Sequence, residues 1–258
     1  MTEPEAIRIT VRRTAGSVPR EAGASMLVTA DGILGTIGGG ALEWQAMAVA
    51  RAMLGDGRET EERVFPLGPA LGQCCGGSVT LGFERATGLH RAPGAPLWIW
   101  GAGHVGRALV DVIAPLPDWS ITWVDTGPER FPDITPGDVT ILPAAEPALL
   151  VPRAPREAQH LILTFSHELD LELCHALLSH GFASAGLIGS ATKWARFRSR
   201  LANLGHDAAE IARISCPIGD PALGKHPQAI AVGVAADLLK RAGPNATGAK
   251  TANAIGAT

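Results

Sequence analysis

Two adjacent cysteines, Cys74 and Cys75, sit between Gln73 and the pair Gly76-Gly77. Thiolates are soft ligands for a soft metal centre, and glycines beside them let a bulky cofactor come close. Neighbours in sequence cannot by themselves build a tetrahedral zinc site of the C-x-x-C kind. The pair therefore reads as a cofactor contact, as buried structural thiols, or as an oxidation-prone couple. A second candidate is Gly38-Gly39-Gly40, ahead of ALEWQAMAVARAML. Consecutive glycines free backbone amides to point at an anion, and a helix N-terminus reinforces them. The same run would also serve as a plain strand-to-helix turn. Arg20, after Pro19, reaches a phosphate or faces solvent.

Further along, Gly101-Ala102-Gly103-His104-Val105-Gly106 matches G-x-G-x-x-G between an apolar strand, LWIW, and a helix. There the first glycine permits a tight turn, the second lets backbone approach a pyrophosphate, and the third packs helix on strand. Asp125 ends the next apolar run nineteen residues after Gly106, where a carboxylate accepts from ribose hydroxyls. Otherwise the glycines serve only the turn and Asp125 caps a loop. Ser190, Lys193 and Arg196 open a helix after GLIG, with Lys193 and Arg196 on a shared face able to clamp an anion. A solvated basic face with Arg198 and Arg200 is the other reading. His167 and Asp170, in SHELD, fall at the same expected sheet edge. His167, Lys193 and His226 are the groups a dehydrogenase would draw on for proton transfer, although none sits in a dehydrogenase motif. Cys174, inside LELCHALL, reads as core, and Cys216 receives no role.

Elements must hold these groups. AIRITVRRT alternates with a period of two, and SMLVTA meets ILGTI across Asp31-Gly32, a strong hairpin signal. The helix after the glycine run is expected to close at Gly55. ERVFPL and GSVTLGFE then complete a small α+β domain over 1–88. Two Pro and two Gly in ATGLHRAPGAP mark a linker, placed at 89–96. Over 97–242 short apolar runs alternate with helical segments: LWIW, SITWVD, VTIL, HLILTF and SAGLIGS, with helices from His104, over LDLELCHALLSH, from Ala191 and over PQAIAVGVAADLLKRA. That is the pattern of a Rossmann-like parallel sheet covered on both faces, so the fold class is α/β. Residues 243–258 are small, polar and aperiodic, and are expected to be disordered.

Composition excludes several classes. A formal charge of −3 over 258 residues offers no basic field for a nucleic-acid backbone. No run approaches the ~18 apolar residues of a membrane span, and MTEPEAIRITVRR has no apolar signal core. The expected location is the cytoplasm, where four cysteines stay reduced.

Gly16-Ser17-Val18-Pro19-Arg20 with Gly23-Ala24, GTIGGGALE, LGQCCGG, IWGAGHVG, GLIGSATKWARFRSRL and CPIGDPALGKHPQAIAV, in this order, resemble the XdhC family of xanthine dehydrogenase accessory proteins. The resemblance runs from Ile7 to Leu239. It implies a chaperone rather than an enzyme, one that binds molybdenum cofactor (molybdopterin) and protects it while a cysteine desulfurase sulfurates the metal. Delivery to the molybdenum subunit of xanthine dehydrogenase would follow, by a protein that self-associates as a homodimer. The cofactor would lie between the domains, with Gly38–Gly40 and Gln73–Gly76 on one wall and Gly101–Gly106 on the other. The resemblance implies Cys75, directly before the glycine pair, as the cofactor and molybdenum contact, and the doubled cysteine is similar to the subset serving xanthine dehydrogenase. The family pattern would have a further His where Phe165 stands and an Arg near Gly127. An NAD(P)-dependent oxidoreductase is the alternative.

Overall fold

The computed structural model describes residues 5–68, 76–87, 94–136 and 139–242. They fall into two compact units, one within residues 1–92 and one within 93–244.

The first unit is an antiparallel sheet with a helix on one face. Its strands are β1 (Glu5–Ala15), β2 (Ser25–Val28), β3 (Ile33–Gly35), β4 (Thr60–Pro66) and β5 (Ser78–Thr87), in the order β3-β2-β1-β5-β4, with α1 (Gly40–Asp56) between β3 and β4 in the chain. The alternation of β1 puts Ile7, Ile9 and Val11 into the core. α1 answers with Leu42, Ala46, Val49, Ala50 and Met53, a stripe of helical period. The helix runs through Gly55 and ends two residues later than expected. Gly57 adopts the left-handed φ of 77° that an αL cap needs, and its amide donates to the Met53 carbonyl.

The second unit is a six-stranded parallel sheet. β6 (Ala95–Trp100), α2 (His104–Ile113), β7 (Trp119–Asp125), β8 (Thr140–Pro143), β9 (Gln159–Ile162), α3 (His167–His180), β10 (Ser184–Leu187), α4 (Ala191–Asn203), α5 (Ala208–Ile211), β11 (Ile214–Ser215) and α6 (Pro227–Ala242) follow in chain order. The strand order β11-β10-β9-β6-β7-β8 reverses between β6 and β9, the switch point at which α/β sheets bind ligands. Leu97, Ile99 and Leu161 join the core cluster that includes α2 and α6 residues. Trp98, Trp100 and Ile162 join the cluster that includes α3 residues. Both faces are therefore dry, which is why these strands read as unbroken apolar runs. The two-residue β11, four-residue α5 and a 3-10 stretch at Pro147–Arg153 are too short or too irregular to show a period.

His160 is a polar residue buried within this apolar packing. It lies among Trp98, Trp100 and Phe182, and its Nδ1 accepts from Trp100 Nε1 at 3.1 Å. Burial drives its pKa down to about 4, with the charge of His180 adding to the shift. The native state thus holds His160 neutral, while an unfolded His takes up a proton below about pH 6.5. The stability this contributes is full above that value and lost as pH falls toward about 4. Urea unfolding at about pH 7 and about pH 5 should show this loss, and His160→Phe should flatten it. A further pair of variants tests the glycines. A Cβ at Gly106 would overlap the Gly101 carbonyl oxygen, whereas one at helical Gly55 meets nothing within 4 Å. Gly106→Ala should unfold the second unit at lower urea, while Gly55→Ala should stabilise the chain by up to about 0.5–1 kcal/mol.

Candidate functional site

In the first unit, strand register assembles one end of the sheet. Thr14 and Ala15, ending β1, pair with Val79 and Ser78, opening β5, so the Gly16–Arg20 loop lies beside Gly76-Gly77. The approach is close enough to demand glycine. A Cβ at Gly77 would sit 2.5 Å from the Ala15 and Ser17 carbonyl oxygens, and one at Gly16 (φ 71°) 2.9 Å from the Gly77 Cα. A Cβ at Gly38 (φ 120°) would meet Pro19 at 2.6 Å and Arg20 Cγ at 3.4 Å. Three separate sequence motifs thereby converge. Gln73, Cys74 and Cys75 lie outside the described residues. Gly76, which follows them, is exposed and has open space where a Cβ would stand.

The glycine run does not present all its amides to an outside anion. Gly38 N–H donates to Thr36 Oγ1 at 3.1 Å, and Gly39 N–H donates to the Glu43 carboxylate at 2.7 Å. Thr36 Oγ1 donates to the same carboxylate at 3.0 Å. Glu43 is buried one turn into α1, so this helix end carries its own negative charge. Of the three glycines, Gly40 opens the helix and is exposed. Arg20, half-buried, is tied to Glu21 at 3.6 Å.

In the second unit the glycine fingerprint forms the strand-to-helix turn its spacing implies. Gly101 (φ 119°) passes so near the Leu163 carbonyl that a Cβ would overlap it, while Gly103 caps α2 and faces open space. His104 opens α2, exposed. Asp125 ends β7 with its carboxylate turned inward. Its carboxylate is 3 % exposed and accepts from the Ala102 amide at 2.6 Å, the Thr126 amide at 2.6 Å and Thr126 Oγ1 at 3.1 Å. Arg130 Nε stands 3.4 Å from it. A carboxylate so placed fixes the loop from within. The Arg130 guanidinium also lies 4.8 Å from the ring centre of Phe165, itself 66 % exposed. Since β6 runs between β7 and β9, this contact bridges the loops on either side of the glycine turn.

Ser190 caps α4 by accepting from the Lys193 amide at 3.2 Å. Lys193 then turns inward rather than toward an outside anion. Its Nζ donates to Asp170 Oδ2 at 2.5 Å and to the Ile188 carbonyl at 2.9 Å. Asp170 Oδ1 accepts from the Thr164 amide at 3.1 Å and from Thr164 Oγ1 at 2.7 Å. Arg196 stays exposed, so the two cations of one helix face part company. His167 and His226 are exposed, and Cys174 is fully buried. Burial pushes the thiols of Cys174 and Cys216 up, which keeps both protonated at neutral pH. Sequence reading missed the Asp170–Lys193 pair. Its one signal was a charge of each sign abutting an apolar strand end. Among the described residues no group of three or more His, Cys, Asp or Glu is placed to hold a metal ion, and no helix is long and apolar enough to cross a membrane.

Comparison with known proteins gives matches for both units. Residues 3–64 match the model of the XdhC and CoxI family, and residues 97–238 that of the XdhC Rossmann domain. YqeB of Escherichia coli is 32% identical over 234 residues, covering 87% of this chain and 41% of that protein. The chain thus spans less than half the length of this curated relative. A solved xanthine dehydrogenase from Bacillus halodurans shares the fold at a TM-score of 0.70 with 19% identity, over 98% of this chain and 94% of that one.

Removing one member of the buried pair strands the other. Lys193→Met should cost about 3–5 kcal/mol in urea unfolding, and adding Asp170→Leu should recover part of that loss, giving a strongly non-additive double-mutant cycle.

Proposed function

The chain belongs to the XdhC and CoxI family, and from that premise we propose that it is an accessory protein of xanthine dehydrogenase. It binds molybdenum cofactor as cargo, shelters it while a cysteine desulfurase sulfurates the metal, and inserts it into the molybdenum subunit. It does so in the cytoplasm as a homodimer. The observation that carries the reading is the convergence of Gly16, Gly38 and Gly77 at the end of the sheet that follows directly on Cys74 and Cys75. Their close packing sets the backbone there, and Gly76, with open space where a Cβ would stand, leaves room for a ring system. A thiolate of Cys75 is the soft donor for the metal end of the cargo. Arg20, against Gly38, is the cation for its phosphate, since the Gly39 amide is already taken by Glu43.

An NAD(P)-dependent oxidoreductase finds less support. That reading asks Asp125 for a ribose contact, and the carboxylate is already bound to the Ala102 and Thr126 amides.

The test is anaerobic purification from a host that makes the cofactor, followed by a fluorescence assay for oxidised molybdopterin. The full chain should retain pterin, and Cys75→Ala about tenfold less or lower still, since loss of even an outer-shell partner of a metal ligand costs about that much. Undiminished pterin in Cys75→Ala removes that residue from the site, and absence of pterin from the unaltered chain rejects the carrier reading. Parallel titrations should saturate with molybdopterin and stay flat with NAD(H); the reverse would favour the oxidoreductase.

A further inference from the structure

Where β9, β10 and β11 face α6, the side chains break the apolar rule of the rest of that interface. Register fixes which positions these are. Ser184 stands opposite Gln159, Gly186 opposite Leu161, and Ser215 opposite Gly186. With a period of two, all five positions share one face. α6 sets Val234, Asp237, Leu238 and Arg241 toward them, an i, i+3, i+4, i+7 stripe. A parallel sheet under a helix is ordinarily packed with aliphatic side chains on both sides of the contact. Here Gln159, Ser184 and Ser215 come from the sheet and Asp237 and Arg241 from the helix. Breaches of the binary pattern concentrate at functional sites.

Between these groups lies a cavity of about 60 Å³. A water takes up roughly 10–15 Å³ of such space, so the cavity suits a molecule of about four to six heavy atoms. Gly186 is required for its shape. A Cβ there would fall 2.5 Å from Ile218 Cγ2, so the glycine lets Ile218 settle over the strand. Gln159 Oε1 is sealed from solvent with no hydrogen-bond partner, an acceptor awaiting a donor. On the rim, Asp237 and Arg241 stand one helical turn apart with opposite charges. The carboxylate of Asp237 has only a loose, exposed contact with Lys240 at 3.8 Å.

We propose that this cavity binds a small zwitterion of the α-amino acid class, of glycine or alanine size. Its ammonium group donates to Gln159 Oε1 and to Asp237. Its carboxylate takes the Arg241 guanidinium and the Ser184 and Ser215 hydroxyls. A methyl-sized side chain rests on Leu161, Val234 and Leu238. A lone cation or anion would satisfy only one of the two rim charges, and a bulky side chain exceeds the volume. Gln159 and Ser184 open their strands, whereas the glycine turn follows the end of β6, so the site lies toward the opposite edge of the parallel sheet. It is thus independent of the cofactor-carrier reading.

Calorimetric titration of the full chain with glycine, L-alanine, N-acetyl-L-alanine and L-alaninamide tests it. Glycine or L-alanine should bind saturably, and each blocked form at least about tenfold more weakly. The blocked forms also stand for the two ends of a peptide, so equal binding by either would replace a free zwitterion with a chain terminus and overturn the proposal. Gln159→Leu and the rim variant Arg241→Gln should each weaken L-alanine by about tenfold or more. Arg241 is exposed, so its variant keeps the fold even where Gln159→Leu does not. No saturable binding of either amino acid, or unchanged affinity in Arg241→Gln, would sink the assignment.

Discussion

Three carboxylates withdrawn from water, Glu43, Asp125 and Asp170, each accept a backbone amide where a strand or loop gives way to a helix. Buried peptide groups must find partners, and at these turns no neighbouring strand or helix supplies one. A carboxylate reaching back across the turn does. Glu43 fixes the glycine run before α1, Asp125 the glycine turn between β6 and α2, and Asp170 the residues between β9 and α3. Each is in turn held, by Thr36, by Thr126 with Arg130, and by Thr164 with Lys193. The loops at the ends of both sheets owe their shape to these contacts.

Much of the architecture was legible because period and punctuation carried it. The alternation of AIRITVRRT gave β1, the Asp31-Gly32 turn joined β2 to β3, and G-x-G-x-x-G between an apolar run and a helix gave the β6–α2 turn. What escaped were orientations. Asp125 was recognisable as the acidic residue ending β7, but its facing inward depends on Thr126 and Arg130, which spacing does not reveal. Lys193 and Asp170 are separated by a helix and a strand, so no local pattern couples them. The glycine run was correctly placed before a helix, yet the partner of the Gly39 amide came from one turn inside that helix. Gly55 and Gly57 show the same limit on a smaller scale. Either could have ended α1, and only the dihedral angles decide.

For the cofactor-carrier reading these contacts change the division of labour. Two of the amides expected to serve a ligand, those of Gly38 and Gly39, already serve the protein, so the thiol pair, Arg20 and the helix-opening Gly40 carry the chemistry in the first unit. In the second unit the ring of Phe165 and the guanidinium of Arg130 meet beside the glycine turn, close to the Gly127 and Phe165 positions where the chain departs from the expected family pattern.

The placement of β1 bears on synthesis. It precedes β2 to β5 in the chain and is the middle strand of its sheet, and its longest pairing, with β5, joins Ile7 to Arg85. Contacts that distant form slowly, and during translation they cannot form at all until the second partner has emerged. Until then β1 has only the β2–β3 hairpin on one side, and its other edge, lined with unmet amides and carbonyls, is open to any passing strand. The nascent chain is therefore most exposed to aggregation while residues 16–77 are being made, which is also the interval in which Cys74 and Cys75 appear.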